Sequence, residues 1–185
     1  MNLEMSAPTA ACGLRLFPTA LGHCGIAWGE HGVLGLQLPE GDEFATRRRL
    51  ERRFPSLCDA APSAAAEAAM QGVIELLAGG DPDLSRTELD FSQVPDFHRR
   101  VYALARAIPR GLTRTYGDLA RDLGDVGLAR AVGQALGANP FPPVIPCHRI
   151  LSADGNGGFS AHGGVATKLR MLAIEEAKGL QLSMF

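Results

Sequence analysis

The amino-acid sequence predicts an α/β (α+β) fold, in which an N-terminal antiparallel sheet with a helix precedes a C-terminal helical part. Three observations support this prediction. Residues 12–38 contain short apolar runs separated by glycine turns, as β-strands do. From Phe97 onward, apolar residues recur at the helical spacing. At 185 residues with 46% hydrophobic content, the chain is long enough for one or two compact domains with an apolar core.

The predicted sheet comes from runs of strand-forming residues near the N-terminus. Residues 14–17, 19–22 and 24–28 are followed by a turn at residues 29–32. Residues 33–38 then alternate at a period of two, which is typical of a half-buried strand. The order and spacing of these runs indicate an antiparallel meander.

Two helices and a last strand complete the predicted N-terminal part. Residues 42–53 are charged and begin a helix, and the alanine-rich residues 64–78 form another, which the Gly-Gly-Asp-Pro sequence that follows ends. Residues 89–91 are a candidate final strand. We therefore expect a supporting domain over residues 1–95, of which residues 1–11 fray.

The C-terminal part is predicted to contain a winged-helix-like helix-turn-helix. A helix begins at Phe97 and ends before the Pro-Arg-Gly sequence that follows it. Thr115 is a candidate N-cap for a helix over residues 116–123, and residues 127–138 form the next one after a tight glycine-containing turn. A glycine-rich loop and a final helix over residues 167–178 complete a domain that we place at residues 96–185.

The charge distribution favours contact between the C-terminal part and a polyanion. The net charge is −2, but residues 1–98 carry 7 Arg and no Lys against 14 acidic residues. Residues 99–149 carry 8 Arg against 3 Asp, and this stretch includes the helix-turn-helix. A basic region on an acidic protein is typical of phosphate contact, although an arginine-rich helical surface has the same composition.

A cysteine and a histidine are adjacent at Cys147 and His148, at the end of a proline-stiffened run. A thiol becomes a good nucleophile when it ionises, and an imidazole can accept its proton directly or through a water. Arg149 adds a positive charge that favours the thiolate. Neighbouring side chains usually diverge, so contact within this pair requires a sharp turn, which the prolines are suited to impose. A buried structural cysteine beside an unrelated histidine is the alternative interpretation.

The sequence around Cys147 resembles the active-site signature of the O6-alkylguanine-DNA alkyltransferases, also called methylated-DNA–protein-cysteine methyltransferases. The resembling run is Ile-Pro-Cys-His-Arg-Ile-Leu at residues 145–151. Other blocks resemble the family in the same order over about residues 97–176, and they lie at residues 108–111, 115–120, 129–133, 139–140, 163–164, 168 and 171–175. An ordered series of blocks is more specific than any one of them.

The resemblance implies that the Cys147 thiolate attacks the alkyl carbon on guanine O6 and keeps the alkyl group. His148 would be the water-mediated base on Cys147, and Glu175 would orient and charge His148. Asn139 would brace the turn before the active site. The thioether product cannot be reversed by anything in the chain, so each molecule is expected to react once. O4-alkylthymine is a second candidate substrate.

The resemblance also implies contacts with a base that has been flipped out of the duplex. Tyr116 would rotate the target nucleotide and donate to guanine N3. Phe159 and Ser160 would cover the base, with the Ser160 N–H donating to O6. Backbone carbonyls, among them that of Ile150, would accept from the amino group. Residues 161–162 are an extension of this lid relative to the family.

The second helix of the helix-turn-helix is rich in small residues, which allow a close approach to DNA. In the family this helix enters the minor groove, and Ala129 and Ala131 are its small residues here. Arg130 between them would fill the space that the flipped base leaves. A helix that recognises bases in the major groove would carry more polar side chains. The expected partner is therefore double-stranded DNA containing O6-alkylguanine.

No cofactor is expected and no metal is assigned. Some members of the family carry a zinc site in the N-terminal domain, and the candidate ligands here do not show its spacing. These residues are Cys12, His23, Cys24, His31 and Cys58. Scattered cysteines without a Cys-x-x-Cys favour a reducing compartment. The sequence contains no run of about 18 apolar residues, so it predicts no membrane-spanning helix. We therefore expect a cytoplasmic monomer.

Two further classes of protein stay open from the sequence. A helix-turn-helix transcription factor with a sensing cysteine would have no need of Tyr116 and Glu175. A cysteine hydrolase would turn over and release its product, and this class would not explain the Ala-Arg-Ala-Val-Gly helix at residues 129–133.

Overall fold

The structure is a computed structural model that describes residues 11–177. Strands β1 (Gly13–Thr19), β2 (Gly22–Gly29) and β3 (Gly32–Gln37) form an antiparallel sheet in that order, which confirms the predicted meander. The prediction of a separate strand over residues 19–22 is wrong. The chain reverses between β1 and β2 there, and Gly22 takes a φ of 127°, which glycine adopts without steric cost.

Two helices follow the sheet as predicted. Helix α1 (Glu43–Arg53) begins at an Asp42 cap, and α2 (Ala64–Leu77) is capped by a serine hydroxyl. Residues 89–91 do not form a strand. Leu89 makes one isolated parallel bridge to Val33 of β3, because the hydrogen bonds there involve Val33 alone and do not continue into a ladder. Within residues 11–177, no helix is long and apolar enough to cross a lipid bilayer.

The C-terminal half contains the predicted helices and two short strands. These elements are α3 (Asp96–Arg106), β4 (Arg114–Thr115), α4 (Tyr116–Asp122), α5 (Ala129–Gly137), β5 (Ile150–Leu151) and α6 (Val165–Ile174). Thr115 caps α4 as predicted, in a reciprocal capping box with Asp118. A single 3-10 turn replaces the first residues of the predicted helix over 127–138. Helix α6 ends before Glu175, earlier than predicted, and Lys178 lies outside the described residues, as do residues 1–10 of the segment expected to fray.

One apolar core extends from the sheet to the active-site segment. It includes Trp28 of β2, Val73 of α2, Val101 of α3 and Phe141, and it reaches Cys147. The sheet also contacts the chain before that cysteine directly, because the Leu36 N–H of β3 donates to the Pro140 carbonyl at 2.9 Å. The N-terminal elements therefore support the segment that carries the candidate nucleophile. The division of the chain between residues 95 and 96 stays a prediction.

Candidate active site

Cys147 lies at the start of a 3-10 turn, Cys147–Arg149, immediately before β5. The side chain of Asn139 spans the approach to this turn. Its Nδ2 donates to the Ile145 carbonyl at 2.8 Å, and its Oδ1 accepts from the Phe141 N–H at 2.9 Å. A side-chain amide that serves both as donor and as acceptor holds the two ends of the proline-rich segment together.

His148, which follows Cys147 in the chain, is held by Glu175. His148 Nε2 lies 2.7 Å from Glu175 Oε1, and both side chains are buried. Arg149 completes the cluster with two hydrogen bonds to the same carboxylate, each at 2.9 Å, and a third to the Ile108 carbonyl. Glu175, the residue immediately after α6, therefore joins the end of this helix to the two residues that follow Cys147.

The electrostatics of this cluster set its protonation at neutral pH. Burial opposes ionisation of Glu175, but its hydrogen bonds with His148 and Arg149 outweigh that effect and lower its pKa to about 2. Burial lowers the pKa of His148 despite the nearby carboxylate. The imidazole is therefore neutral and donates from Nε2 to Glu175. Its buried Nδ1 has no hydrogen-bond partner among the described residues, and it is the basic nitrogen.

The cation that lowers the pKa of Cys147 is Lys168. The sequence predicted Arg149 in this role. Burial raises the pKa of Cys147, while a side-chain hydrogen bond with Asn139 and the charge of Lys168 lower it. The Arg149 guanidinium is instead paired with Glu175. The positions of Arg149 and Lys168 in the sequence could not show which charge affects the thiol, because that depends on how the chain folds around it.

Lys168 is fully buried at the first turn of α6. Its Nζ donates to the Ile150 carbonyl at 2.5 Å and to the Gly158 carbonyl at 3.2 Å. Burial lowers its pKa to about 8. The sequence resemblance includes this lysine but assigns it no role. The signal that could have identified it is its spacing, since Lys168 shares one helical face with the buried Met171 and Leu172.

A cavity of about 400 Å³ opens beside Cys147, between α5, Tyr116 and the loop after β5. Phe159 and Ser160 line its outer wall, as does Tyr116, whose ring centroid lies 5.8 Å from Lys168 Nζ. Burial raises the pKa of Tyr116, so its phenol stays protonated and can donate a hydrogen bond. The structure thus brings four predicted site residues to this cavity: Tyr116, Cys147, Phe159 and Ser160. Ile150 does not line it, and its carbonyl accepts from Lys168 Nζ.

Of the candidate DNA-binding residues, Tyr116 lines this cavity, whereas the three on α5 do not. Ala129 and Ala131 on α5 are half-buried, and Arg130 between them is exposed. Arg130 makes no hydrogen bond or ion pair with any residue between 11 and 177. A free guanidinium on the surface of a helix-turn-helix is available to an external partner. Across the described part of the chain, no three His, Cys, Asp or Glu side chains are grouped as a metal site requires.

A buried cysteine with a histidine–carboxylate pair, beside a helix-turn-helix, defines a class of protein that performs nucleophilic chemistry next to nucleic acid. A family model described as "6-O-methylguanine DNA methyltransferase, DNA binding domain" matches residues 96–177. A methylated-DNA–protein-cysteine methyltransferase of Methanothermobacter thermautotrophicus is 36% identical over 151 residues, which cover 82% of this chain and 78% of that protein. The enzyme of the same description from Mycobacterium tuberculosis is 34% identical over 140 residues, covering 75% and 83%.

Solved structures agree with these relatives. The O6-methylguanine methyltransferase of Mycobacterium tuberculosis superposes with a TM-score of 0.70 at 29% identity, covering 92% of this chain and 96% of that one. A structure of OGT from the same organism in complex with DNA has a TM-score of 0.68 at 28% identity, covering 89% and 92%. The chain belongs to the methylated-DNA–protein-cysteine methyltransferase family.

Proposed function

We propose that this chain repairs DNA by transferring an alkyl group from O6-alkylguanine to its own Cys147, once per molecule. The observation that carries the proposal is the setting of this thiol. It is buried, it opens onto a cavity, and it is followed in the chain by an imidazole that a carboxylate holds in one tautomer. Membership of the family supplies the class of reaction.

The reaction is a displacement at the alkyl carbon. A bond forms between Cys147 Sγ and this carbon while the bond to O6 breaks, and the electron pair of the broken bond stays on guanine. His148 receives the thiol proton at Nδ1 through a water, because Nε2 is engaged with Glu175. The proton that His148 received then passes to guanine, which leaves as the neutral base. Lys168 balances the thiolate charge before the transfer.

The cavity beside Cys147 would receive the flipped guanine. Tyr116 would donate from its neutral phenol to N3, and the Ser160 N–H would donate to O6 as charge develops there. Phe159 would stack on the base as part of the lid. The Ile150 carbonyl already accepts from Lys168, and its second lone pair would accept from the guanine amino group.

Double-stranded DNA would lie against α5. The small side chains Ala129 and Ala131 would allow this helix to approach the minor groove closely, and Arg130 would fill the gap in the base stack. Extruding a base costs a few kcal/mol and costs least for a base that pairs badly, which favours selection of the damaged nucleotide. O4-alkylthymine is a second candidate substrate, because its alkyl oxygen is bonded to a comparable ring carbon.

We further propose a cytoplasmic monomer with two functional parts. Cys12, Cys24, Cys58 and Cys147 are all free thiols, as a reducing compartment requires. Residues 1–95 would support the active-site segment, and residues 96–185 would bind DNA and accept the alkyl group. One chain holds every group that the transfer needs, so no second copy and no cofactor enters the reaction.

Mass spectrometry after incubation with a duplex containing O6-methylguanine tests the function. We expect a gain of about one methylene on Cys147, at no more than one per chain. The Cys147→Ala variant should gain nothing while it still binds the duplex. If the unmodified chain bound the duplex without any mass gain, it would be a binding protein and the transfer would be excluded.

A matched pair of arginine variants tests the DNA contact. Arg130→Ala should slow methyl transfer from duplex DNA by about tenfold or more, because the flipped state loses the side chain that fills the stack. Arg15 is also exposed, but it lies on β1 at the other end of the chain, so Arg15→Ala should keep the unmodified rate. Equal rates for the two variants would remove Arg130 from the proposed role.

A further inference from the structure

Cys147 opens onto a second cleft, which lies on the other side of the lid. This cleft measures about 350 Å³ and shares Cys147, Phe159 and Ser160 with the cavity proposed for the base. Its N-terminal wall contains Arg49 and Arg53 of α1. A cleft that touches the nucleophile and also carries two guanidinium groups has no role in the transfer described so far.

The charge of Arg53 is not compensated by an anion. Its guanidinium donates only to neutral oxygens, at 2.7 Å to the Leu36 carbonyl, at 3.1 Å to Gln37 Oε1 and at 3.2 Å to the Pro140 carbonyl. No carboxylate among residues 11–177 forms an ion pair with it. Partly buried cations are normally paired, so this one leaves a positive potential at the cleft wall. Burial and the charge of Arg49 both lower the pKa of Arg53, which agrees with that potential.

One carboxylate, that of Glu40, contacts the other basic side chains around the cleft. Glu40 Oε1 lies 3.2 Å from Arg49 Nε and also accepts from Gln37 Nε2 at 3.0 Å. Its other oxygen lies 3.8 Å from His162 Nδ1, in the extended lid. Glu40 is therefore paired with Arg49 and not with Arg53, and two guanidinium groups against one carboxylate leave the cleft positive overall.

We propose that this cleft receives the alkyl chain of the substrate, and that Arg53 and Arg49 give preference to O6-alkyl groups that end in a carboxylate. The inference rests on the proposed function. The reacting carbon must lie against Cys147 Sγ, so a longer alkyl chain extends into the space beside the thiol that the base does not occupy. The bonds made and broken are those of methyl transfer, and the carboxylate itself does not react.

Three duplexes test the inference with the full chain. They contain guanine carrying O6-methyl, O6-carboxypropyl or the corresponding amide, O6-carbamoylpropyl, and the rate of alkylation of Cys147 is followed by mass spectrometry. The acid and the amide have nearly the same size, and their polar end is too far from the reacting carbon to change its intrinsic reactivity. We expect the acid to react about threefold to fivefold faster than the amide, as a partly exposed charge pair allows. The ratio should fall towards one at high ionic strength.

Substitutions of arginines on α1 test which residues cause the preference for the acid over the amide. Arg53→Gln and Arg49→Gln should each lower the acid-to-amide ratio. Arg47→Gln is the matched control, since Arg47 also lies on α1 but pairs with Asp59 and does not line the cleft, so the ratio should stay that of the unmodified chain. If Arg53→Gln does not fold, Arg49→Gln and the salt dependence still decide the question.

Equal rates for acid and amide in the unmodified chain would overturn the inference. So would a ratio that survives both substitutions, or an equal slowing of all three duplexes, because the arginines would then act on DNA or on the active-site segment. Failure of the O6-methyl duplex to react would count against the proposed function itself. Reaction of that duplex without an acid preference would count against the inference alone.

Discussion

Two buried cysteines in this protein have different surroundings. Cys24 lies in β2, and Cys147 lies in the turn before β5, with exposures of 2% and 8%. The polar neighbour of Cys24 is the Thr19 hydroxyl at 3.7 Å, and burial raises the pKa of this thiol to about 12. Cys147 is also penalised by burial, but Asn139 and Lys168 act against that penalty.

The comparison shows that burial alone does not identify a nucleophilic cysteine. The polar and charged groups around the sulfur identify it. Cys24 behaves as a small apolar side chain in the sheet core. The region of Cys147 instead holds the buried charged groups Arg149, Lys168 and Glu175, together with the neutral imidazole of His148. Such a cluster is costly to bury and is expected at a functional site.

The largest effect should come from removing the carboxylate of the cluster. Glu175→Gln leaves Arg149 buried without its counter-ion, which costs about 3–5 kcal/mol of stability. It also removes the group that orients His148, so alkyl transfer should slow by about a hundredfold. Urea unfolding and the rate of methyl transfer measure the two effects.

Glu176→Gln is the control for this variant, because Glu176 is adjacent but exposed. It should keep both the stability and the rate of the unmodified chain. If Glu176→Gln produced the larger loss, the carboxylate assigned to His148 would be the wrong one.

Acid should weaken the cluster around Cys147 through the same carboxylate. The pKa of Glu175 is about 2 in the folded chain against a reference of 4.5, so its ionised form stabilises the fold above about pH 4.5. This contribution of about 3 kcal/mol is lost as the pH falls from about 4.5 towards about 2. Free energies of unfolding at about pH 6 and about pH 3 should therefore differ less in Glu175→Gln than in the unmodified chain. Parallel pH dependences in the two proteins would contradict this assignment.

Replacing Lys168 with an uncharged residue should make the pKa of Cys147 more like that of Cys24. Lys168→Met removes the positive charge that favours the thiolate, so the pKa of Cys147 should rise. The pH–rate profile of alkyl transfer should move to higher pH, with a loss of about tenfold near neutrality if the shift is about one unit. Arg170→Met changes an exposed cation on the same helix and should leave the profile in place. An unmoved profile in Lys168→Met would show that the lysine has only a structural role.

The smallest effect is expected at the other cysteine. Cys24→Ala removes one buried sulfur atom and should cost about 1 kcal/mol of stability through lost packing. The rate of methyl transfer should not change, because Cys24 itself does not line the cavity beside Cys147. Urea unfolding and mass spectrometry on the same preparation provide both values. A fall in rate beyond the loss of folded protein would show that the two regions are coupled.

Local patterns predicted the main elements well. The Thr115 cap and the alanine-rich helix were evident because capping and helical periodicity act over a few neighbouring residues. The same methods misassigned residues 19–22 and 89–91, where strand propensity is present but the pairing partner decides. They also placed the end of α6 too late, since nothing in the local sequence marks its last turn.

By itself the sequence determined the α+β class, the helix-turn-helix and Cys147 as the candidate nucleophile, because each depends on short-range order of residue types. Only the tertiary structure decided how the charges are paired. The resemblance implied the contact of His148 with Glu175, but it did not imply that Arg149 pairs with the same carboxylate or that the charge of Lys168 lowers the pKa of Cys147. Pairing of buried charges depends on which distant segments meet in the core, and burial makes that pairing obligatory.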